Sequence, residues 1–164
     1  MDSEFEFIKQ HKDKIAAVGE VGLDYHWVKD AELQKKEREN FARIIEFVEK
    51  LKKPMIVHTR KAEQDCIDML TSSKLKNVVL HCFEGRKSLI KRAADAGYIF
   101  SVPTSIAKSQ HFQVLVEIAS INQITTETDG PYFTRRKLFK HAGKCQSCCR
   151  EDCANKEIRG RRSR

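Results

Sequence analysis

Short apolar runs alternate with longer amphipathic segments through most of this 164-residue chain. Each apolar run is typical of a buried strand, because it lacks a polar face, and each amphipathic segment has apolar residues at helical spacing. After a helical segment at 3–12, the pattern predicts strands at 15–19, 55–57, 78–80, 98–100 and 123–126, separated by helices at 30–52, 61–71, 86–96 and 108–120.

This alternation predicts a fold in which successive strands pair in parallel through right-handed helical crossovers. We therefore expect an α/β fold with about five parallel strands and amphipathic helices. The pattern stops at residue 133. We expect residues 1–133 to form one domain and residues 134–164 to be a separate, poorly ordered, basic tail that contains cysteines.

Four polar side chains come directly after predicted strands: Glu20, His58, His81 and Asp129. A carboxylate is unfavourable inside a strand that is buried on both faces, so we place Glu20 at the carboxyl end of the first strand. Because these ends of parallel strands share one edge of a sheet, we expect the four side chains to converge there.

Two imidazoles and two carboxylates suit a borderline divalent cation such as Zn²⁺, Mn²⁺ or Co²⁺. Such an ion lowers the pKa of a bound water and polarises a phosphoryl or carbonyl oxygen. Arg60, two residues after His58, could hold an anionic group of the substrate. Taken singly, each candidate ligand is better explained as a surface hydrogen-bonding residue or a helix cap. Four of them at equivalent positions favour a metal site.

The net charge of +8 comes entirely from residues 131–164, which hold eleven Lys and Arg against three Asp and Glu. A basic tail can contact polyanions without specificity. The tail also contains Cys145, Cys148, Cys149 and Cys153, whose spacing differs from the usual paired zinc motif. No apolar run approaches the roughly 18 residues of a membrane span. The acidic N-terminus has no apolar signal core, so we predict a cytoplasmic protein.

The four strand-end motifs resemble those of the TatD family of metal-dependent hydrolases. They are Gly19–Tyr25, Pro54–Arg60, Leu80–Gly85 and Glu127–Tyr132, and they occur in the order of the family at similar spacing. The resemblance covers residues 5–133. It implies a (β/α)8 TIM barrel and hydrolysis of phosphodiester bonds, typically as a DNase.

The resemblance also implies roles for the site residues and a cofactor of two divalent metal ions, Zn, Mg or Mn. Glu20 would bridge the two ions, and His58 and His81 would bind one of them. Asp129 would bind the other ion and help to activate the attacking water. Glu20 and Asp129 are accordingly the expected catalytic residues.

The chain departs from the family because it lacks the His-x-His pair of the first strand. A closed barrel has eight strands in about 250 residues, and five strands are predicted here. We therefore expect an incomplete barrel, an internal fragment without the first two strands and the last, which binds one metal ion weakly. Open sheet edges would favour self-association. Two alternatives stay open: a non-catalytic interaction module with a nucleic-acid-binding tail, and a metal-dependent hydrolase of amides or lactones.

Overall fold

The structure is a computed structural model that describes residues 1–128. Helices and strands alternate along this part of the chain, as predicted. Two 3₁₀ turns, Thr104–Ala107 and Ile121–Gln123, were not predicted. The other elements are α1 Asp2–Gln10, β1 Val18–Asp24, α2 Ala31–Leu51, β2 Met55–Arg60, α3 Glu63–Thr71, β3 Val78–His81, α4 Lys87–Asp95, β4 Ile99–Pro103, α5 Gln110–Ile118 and β5 Ile124–Glu127.

The chain divides into two compact units, the first ending at His81 and the second beginning at Cys82. In the first unit β1, β2 and β3 lie side by side in that order, and both pairings are parallel. In the second unit β4 and β5 pair in parallel. The predicted α/β architecture, with parallel strands joined through helices, is confirmed within each unit.

Helix α2 is defined at both ends by local chemistry. The Asp30 carboxylate accepts a hydrogen bond from the Leu33 N–H at 2.9 Å, which satisfies a backbone donor of the first turn. Lys52 ends the helix in the left-handed conformation, and Pro54 follows. Its apolar stripe packs against β1, and its buried residues are Phe41, Ile45, Phe47 and Val48.

Each unit has its own apolar interior. In the first, fully buried side chains from the strands and helices include Leu23, Val57, Ile67 and Leu80; in the second, they include Ile90, Phe100, Ile106 and Leu115. Cys66 is also buried, and desolvation raises the pKa of its thiol, which keeps it protonated and inert. Neither Cys66 nor Cys82 forms a disulfide within residues 1–128. No helix within residues 1–128 is long and apolar enough to cross a membrane.

The strand boundaries correct the placement of three candidate ligands. Glu20 is the third residue of β1 and His58 the fourth residue of β2, so neither follows its strand as predicted. The expectation assumed strands buried on both faces, whereas buried and partly exposed residues alternate along β2. Glu20 is tolerated within β1 because its side chain is 52% exposed and the β1–β2 register shifts between Val18 and Val21. His81 was also predicted to follow its strand but is the last residue of β3.

Candidate metal centre

The two histidines are brought together by strand register. His58 on β2 is the pairing partner of His81 on β3, and side chains of paired residues in parallel strands point to the same face. Their ring centroids are 6.4 Å apart. The sequence therefore places two imidazoles side by side on one face of the first unit, although 22 residues separate them in the chain.

Glu20 approaches the second of these imidazoles. Its Oε1 atom is 3.8 Å from Nε2 of His81, and the His81 side chain is only 12% exposed. Two ligands of one tetrahedral zinc ion, each bonded at about 2.1 Å, are about 3.4 Å apart. The Glu20–His81 separation is close to that value, so a modest movement would allow both atoms to bind one ion.

Asp24 at the end of β1 approaches the first imidazole. Its Oδ2 atom is 3.3 Å from Nε2 of His58, while its Oδ1 atom accepts hydrogen bonds from the backbone N–H groups of His26 and Trp27 at 2.8 and 3.2 Å. From the sequence alone this residue could equally be a supporting group or a loop cap. In the structure one oxygen of this carboxylate caps the loop and the other contacts the His58 imidazole.

The donors stand as two pairs, Glu20 with His81 and Asp24 with His58. No three histidine, cysteine, aspartate or glutamate side chains within residues 1–128 converge on a single point that could hold a metal ion. The donor types nevertheless fit a borderline divalent cation, and the Glu20–His81 separation is near the ligand–ligand distance expected around zinc. Asp129, the fourth predicted ligand, lies outside the described residues.

Arg60, the predicted substrate-binding residue, ends β2 and is exposed. It pairs in register with Asp24, and its guanidinium lies 5.8 Å from the centre of the Trp27 ring. Arg60 therefore lies at the same end of the strands as the Asp24–His58 pair, where a cation can meet an anionic substrate.

A polar cluster that was not predicted from the sequence fixes the loop after β1. The Tyr25 hydroxyl donates to Asp65 Oδ2 at 2.7 Å and accepts from Arg38 at 2.9 Å, and Arg38 also forms an ion pair with Asp65 at 3.5 Å. Burial is the largest cause that raises the pKa of Tyr25, so its hydroxyl stays protonated and can donate. The cluster joins the loop to α2 and α3. No single motif marks it, because its members come from three separate segments.

Glu37 on α2 contacts the backbone of Asp24. Its carboxylate accepts a hydrogen bond from the Asp24 backbone N–H, but its Oε2 atom is buried without a hydrogen-bond partner in the described part of the chain. Burial, with a smaller contribution from the Asp24 carboxylate, raises the pKa of Glu37. The folded state is therefore less stable when Glu37 is ionised than when Glu37 is protonated.

Replacing Glu37 by glutamine is expected to raise the melting temperature at pH 7 in the presence of EDTA. A carboxyl group whose pKa is raised by folding stabilises the fold below its unfolded value and loses that contribution as pH increases through the folded value. The advantage of Glu37→Gln should therefore grow between pH 4 and pH 7. Exposed Glu39 on the same helix supplies the control, Glu39→Gln. A difference between Glu37→Gln and wild type that is constant with pH would contradict this account.

Solved structures of TatD proteins have a fold similar to that of this chain. A TatD homologue of Escherichia coli, YJJV, matches with a TM-score of 0.80 at 19% sequence identity, over 94% of this chain and 63% of that protein. A TatD family hydrolase of Entamoeba histolytica matches with a TM-score of 0.67 at 24% identity, over 83% and 46%. These matches confirm the expected fold, the TIM-barrel type of the TatD structures.

Sequence comparison gives curated relatives of the same kind. Human deoxyribonuclease TATDN3 is 35% identical over 143 residues, which is 86% of this chain and 52% of that protein. A protein of Methanocaldococcus jannaschii named uncharacterized metal-dependent hydrolase MJ1582 is 34% identical over 140 residues, or 85% and 54%. The chain thus spans about half the length of the curated relatives it matches.

The sequence profile of the family described as TatD related DNase matches residues 2–157, nearly the whole chain. Within this match lie the motifs that contain Glu20, His58 and His81, and the structure places these three residues on adjacent strands. The chain therefore belongs to the TatD-related DNase family.

Proposed function

We propose that this protein is a divalent-metal-dependent hydrolase that cleaves phosphodiester bonds in DNA. The observation that carries the proposal is the pairing of Glu20 with His81 and of Asp24 with His58 on three adjacent parallel strands. The names of the relatives, a deoxyribonuclease and a metal-dependent hydrolase, agree with this chemistry.

In this proposal Glu20, His58 and His81 would hold one divalent ion, Zn, Mg or Mn. When bound, the ion neutralises phosphate charge and lowers the pKa of a coordinated water. Asp24 positions the His58 imidazole through the 3.3 Å contact. Arg60 binds the phosphate, since a guanidinium offers paired donors to phosphate oxygens. In the family pattern Glu20 and Asp129 would also hold a second ion, and Asp129 would help to activate the attacking water.

We also propose how many metal ions this chain binds. Because the sequence has no His-x-His pair, we expect this chain to bind one ion weakly where the family binds two. Calorimetric titration of the metal-free chain with Zn²⁺ or Mn²⁺ should give one equivalent. Two tight equivalents would contradict the single-ion expectation.

One observation favours a second candidate function. All the excess positive charge lies in residues 131–164, so a non-catalytic interaction module could bind nucleic acid through that segment alone. Such binding would be independent of metal and would weaken steeply as salt increases. Self-association, the cytoplasmic location and the domain boundary at residue 133 stay predictions.

Chelation and metal replacement test the proposed function. The full chain is dialysed against EDTA and incubated with a labelled DNA oligonucleotide, alone and after addition of Mg²⁺, Mn²⁺ or Zn²⁺. Cleavage should disappear with EDTA and return with at least one ion. Binding of DNA without cleavage under any of these conditions would instead support the interaction module.

A further inference from the structure

Trp27 is the most exposed large apolar side chain in residues 1–128, at 74%. It lies on the loop that follows β1, three residues after Asp24. A single exposed apolar residue needs no explanation in itself. The surroundings of this indole, however, hold it in a defined position beside the candidate metal centre.

Several contacts fix the loop and its indole. The Trp27 backbone N–H donates to Asp24 Oδ1 at 3.2 Å, and the Tyr25 N–H donates to the Arg60 carbonyl oxygen at 2.8 Å. The His26 ring packs edge-on against the indole with centroids 4.9 Å apart. Lys29 donates to the Tyr25 carbonyl oxygen at 2.8 Å. The aromatic ring is therefore presented to solvent by a supported loop.

The indole also has one cation beside it, and a second basic residue follows on its loop. The Arg60 guanidinium lies over the ring, 5.8 Å from its centroid, where a cation–π attraction orients both groups. Lys29 is on the same loop. An aromatic face next to basic side chains is the combination with which proteins bind unpaired bases and their phosphates.

We propose that Trp27 stacks an unpaired nucleobase of the DNA while Arg60 binds the adjacent phosphate. This inference rests on the proposed function for its choice of ligand. The base must be unpaired because both faces of a base inside a duplex are already stacked on its neighbours. A single strand, or the frayed end of a duplex, is therefore the form of DNA that this site accepts.

The position of the indole connects base binding to the candidate centre. The Asp24 carboxylate accepts from the Trp27 backbone N–H through Oδ1 and contacts His58 through Oδ2, so one side chain links the loop that carries the indole to a predicted metal ligand. A base on Trp27 would hold its strand beside that ligand. Trp27 is thus a substrate-positioning residue.

Trp27 is the only tryptophan in the chain, so its fluorescence reports directly on stacking. The metal-free full chain, in EDTA to prevent cleavage, is titrated with an eight-nucleotide thymidine strand. Controls are an abasic strand of equal length and charge and an eight-base-pair blunt duplex with G·C ends. The thymidine strand should quench the fluorescence. The abasic strand and the duplex should leave it nearly unchanged, although the basic tail can bind all three.

Two substitutions test the same surface by fluorescence anisotropy of a labelled strand. Trp27→Ala should weaken binding of the thymidine strand by about 10-fold, whereas Trp27→Phe, which keeps an aromatic face, should stay within about 3-fold of wild type. The matched control is Phe7→Ala, because Phe7 is an exposed aromatic residue on α1 and is 60% exposed. It should bind as wild type does.

The outcomes separate this inference from the proposed function. Equal quenching by the abasic strand, no quenching by any strand, or unchanged affinity of Trp27→Ala would overturn the stacking site even if metal-dependent cleavage is found. Quenching specific to the base-containing strand, in a chain that cleaves no DNA, would retain the stacking site and reject the hydrolase.

Discussion

Replacing His81 by alanine is expected to lower metal-dependent DNA cleavage by at least about 100-fold, because even residues that only support a metal ligand contribute 10- to 100-fold. The substitution removes the imidazole that lies 3.8 Å from Glu20 and pairs in register with His58. Metal affinity should fall together with activity. Initial rates at saturating metal and calorimetric titration measure the two effects.

His11→Ala is the matched control, since His11 caps the end of α1 and its Nδ1 atom contacts the Phe7 carbonyl oxygen, in a segment that holds no candidate ligand. It should retain wild-type cleavage and metal affinity. Thermal melting of both variants in EDTA shows whether the fold is intact. Activity unchanged in His81→Ala would remove His81 from the centre.

Replacing Gly22 by alanine is expected to lower the free energy of unfolding by about 3 kcal/mol, since overpacking costs about 1–3 kcal/mol and occasionally more. An added Cβ would overlap the His58 carbonyl oxygen, and Gly22 is the pairing partner of His58. β1 and β2 would have to separate at the position of a candidate ligand. Urea unfolding in EDTA measures the loss.

Gly97→Ala separates the clash from the general cost of replacing a glycine. Gly97 has φ of +83°, and an added Cβ there would meet nothing within 4 Å. Only backbone strain remains, which costs about 1–2 kcal/mol. If Gly22→Ala and Gly97→Ala lower the free energy of unfolding equally, β1 and β2 accommodate the added methyl group without further cost.

The sequence was sufficient for the order of the elements and for most helix boundaries. The predicted helix at 30–52 differs from α2 by only one residue at each end. Asp30 caps the beginning of the helix, and Lys52, shortly before Pro54, ends it. The neighbouring positions of His58 and His81 followed from their equivalent places in the strand–helix repeat, and the register confirms them. The assignment of Glu20, His58 and His81 as metal ligands stays a prediction.

Other features of the site could not be predicted from the residues alone. Glu20 lies inside β1 because the local register is irregular and the side chain is half exposed, and both properties depend on pairing with β2. The two contacts of Asp24 and the position of Arg60 over Trp27 depend on how the loop folds back after β1. These are tertiary effects, which the spacing of residues along the chain does not contain.

Because His58 and His81 are paired, burial of apolar side chains also fixes the register of β2 and β3 that brings the two histidines together. A slip of β3 by one residue along β2 would turn the His81 side chain to the opposite face and bring Leu80 beside His58. The same slip would expose the fully buried Leu80 and bury polar groups in its place. A misregistered site therefore cannot form without disrupting the core. Mutations that loosen the packing of β3 should impair the site even when every candidate ligand is present.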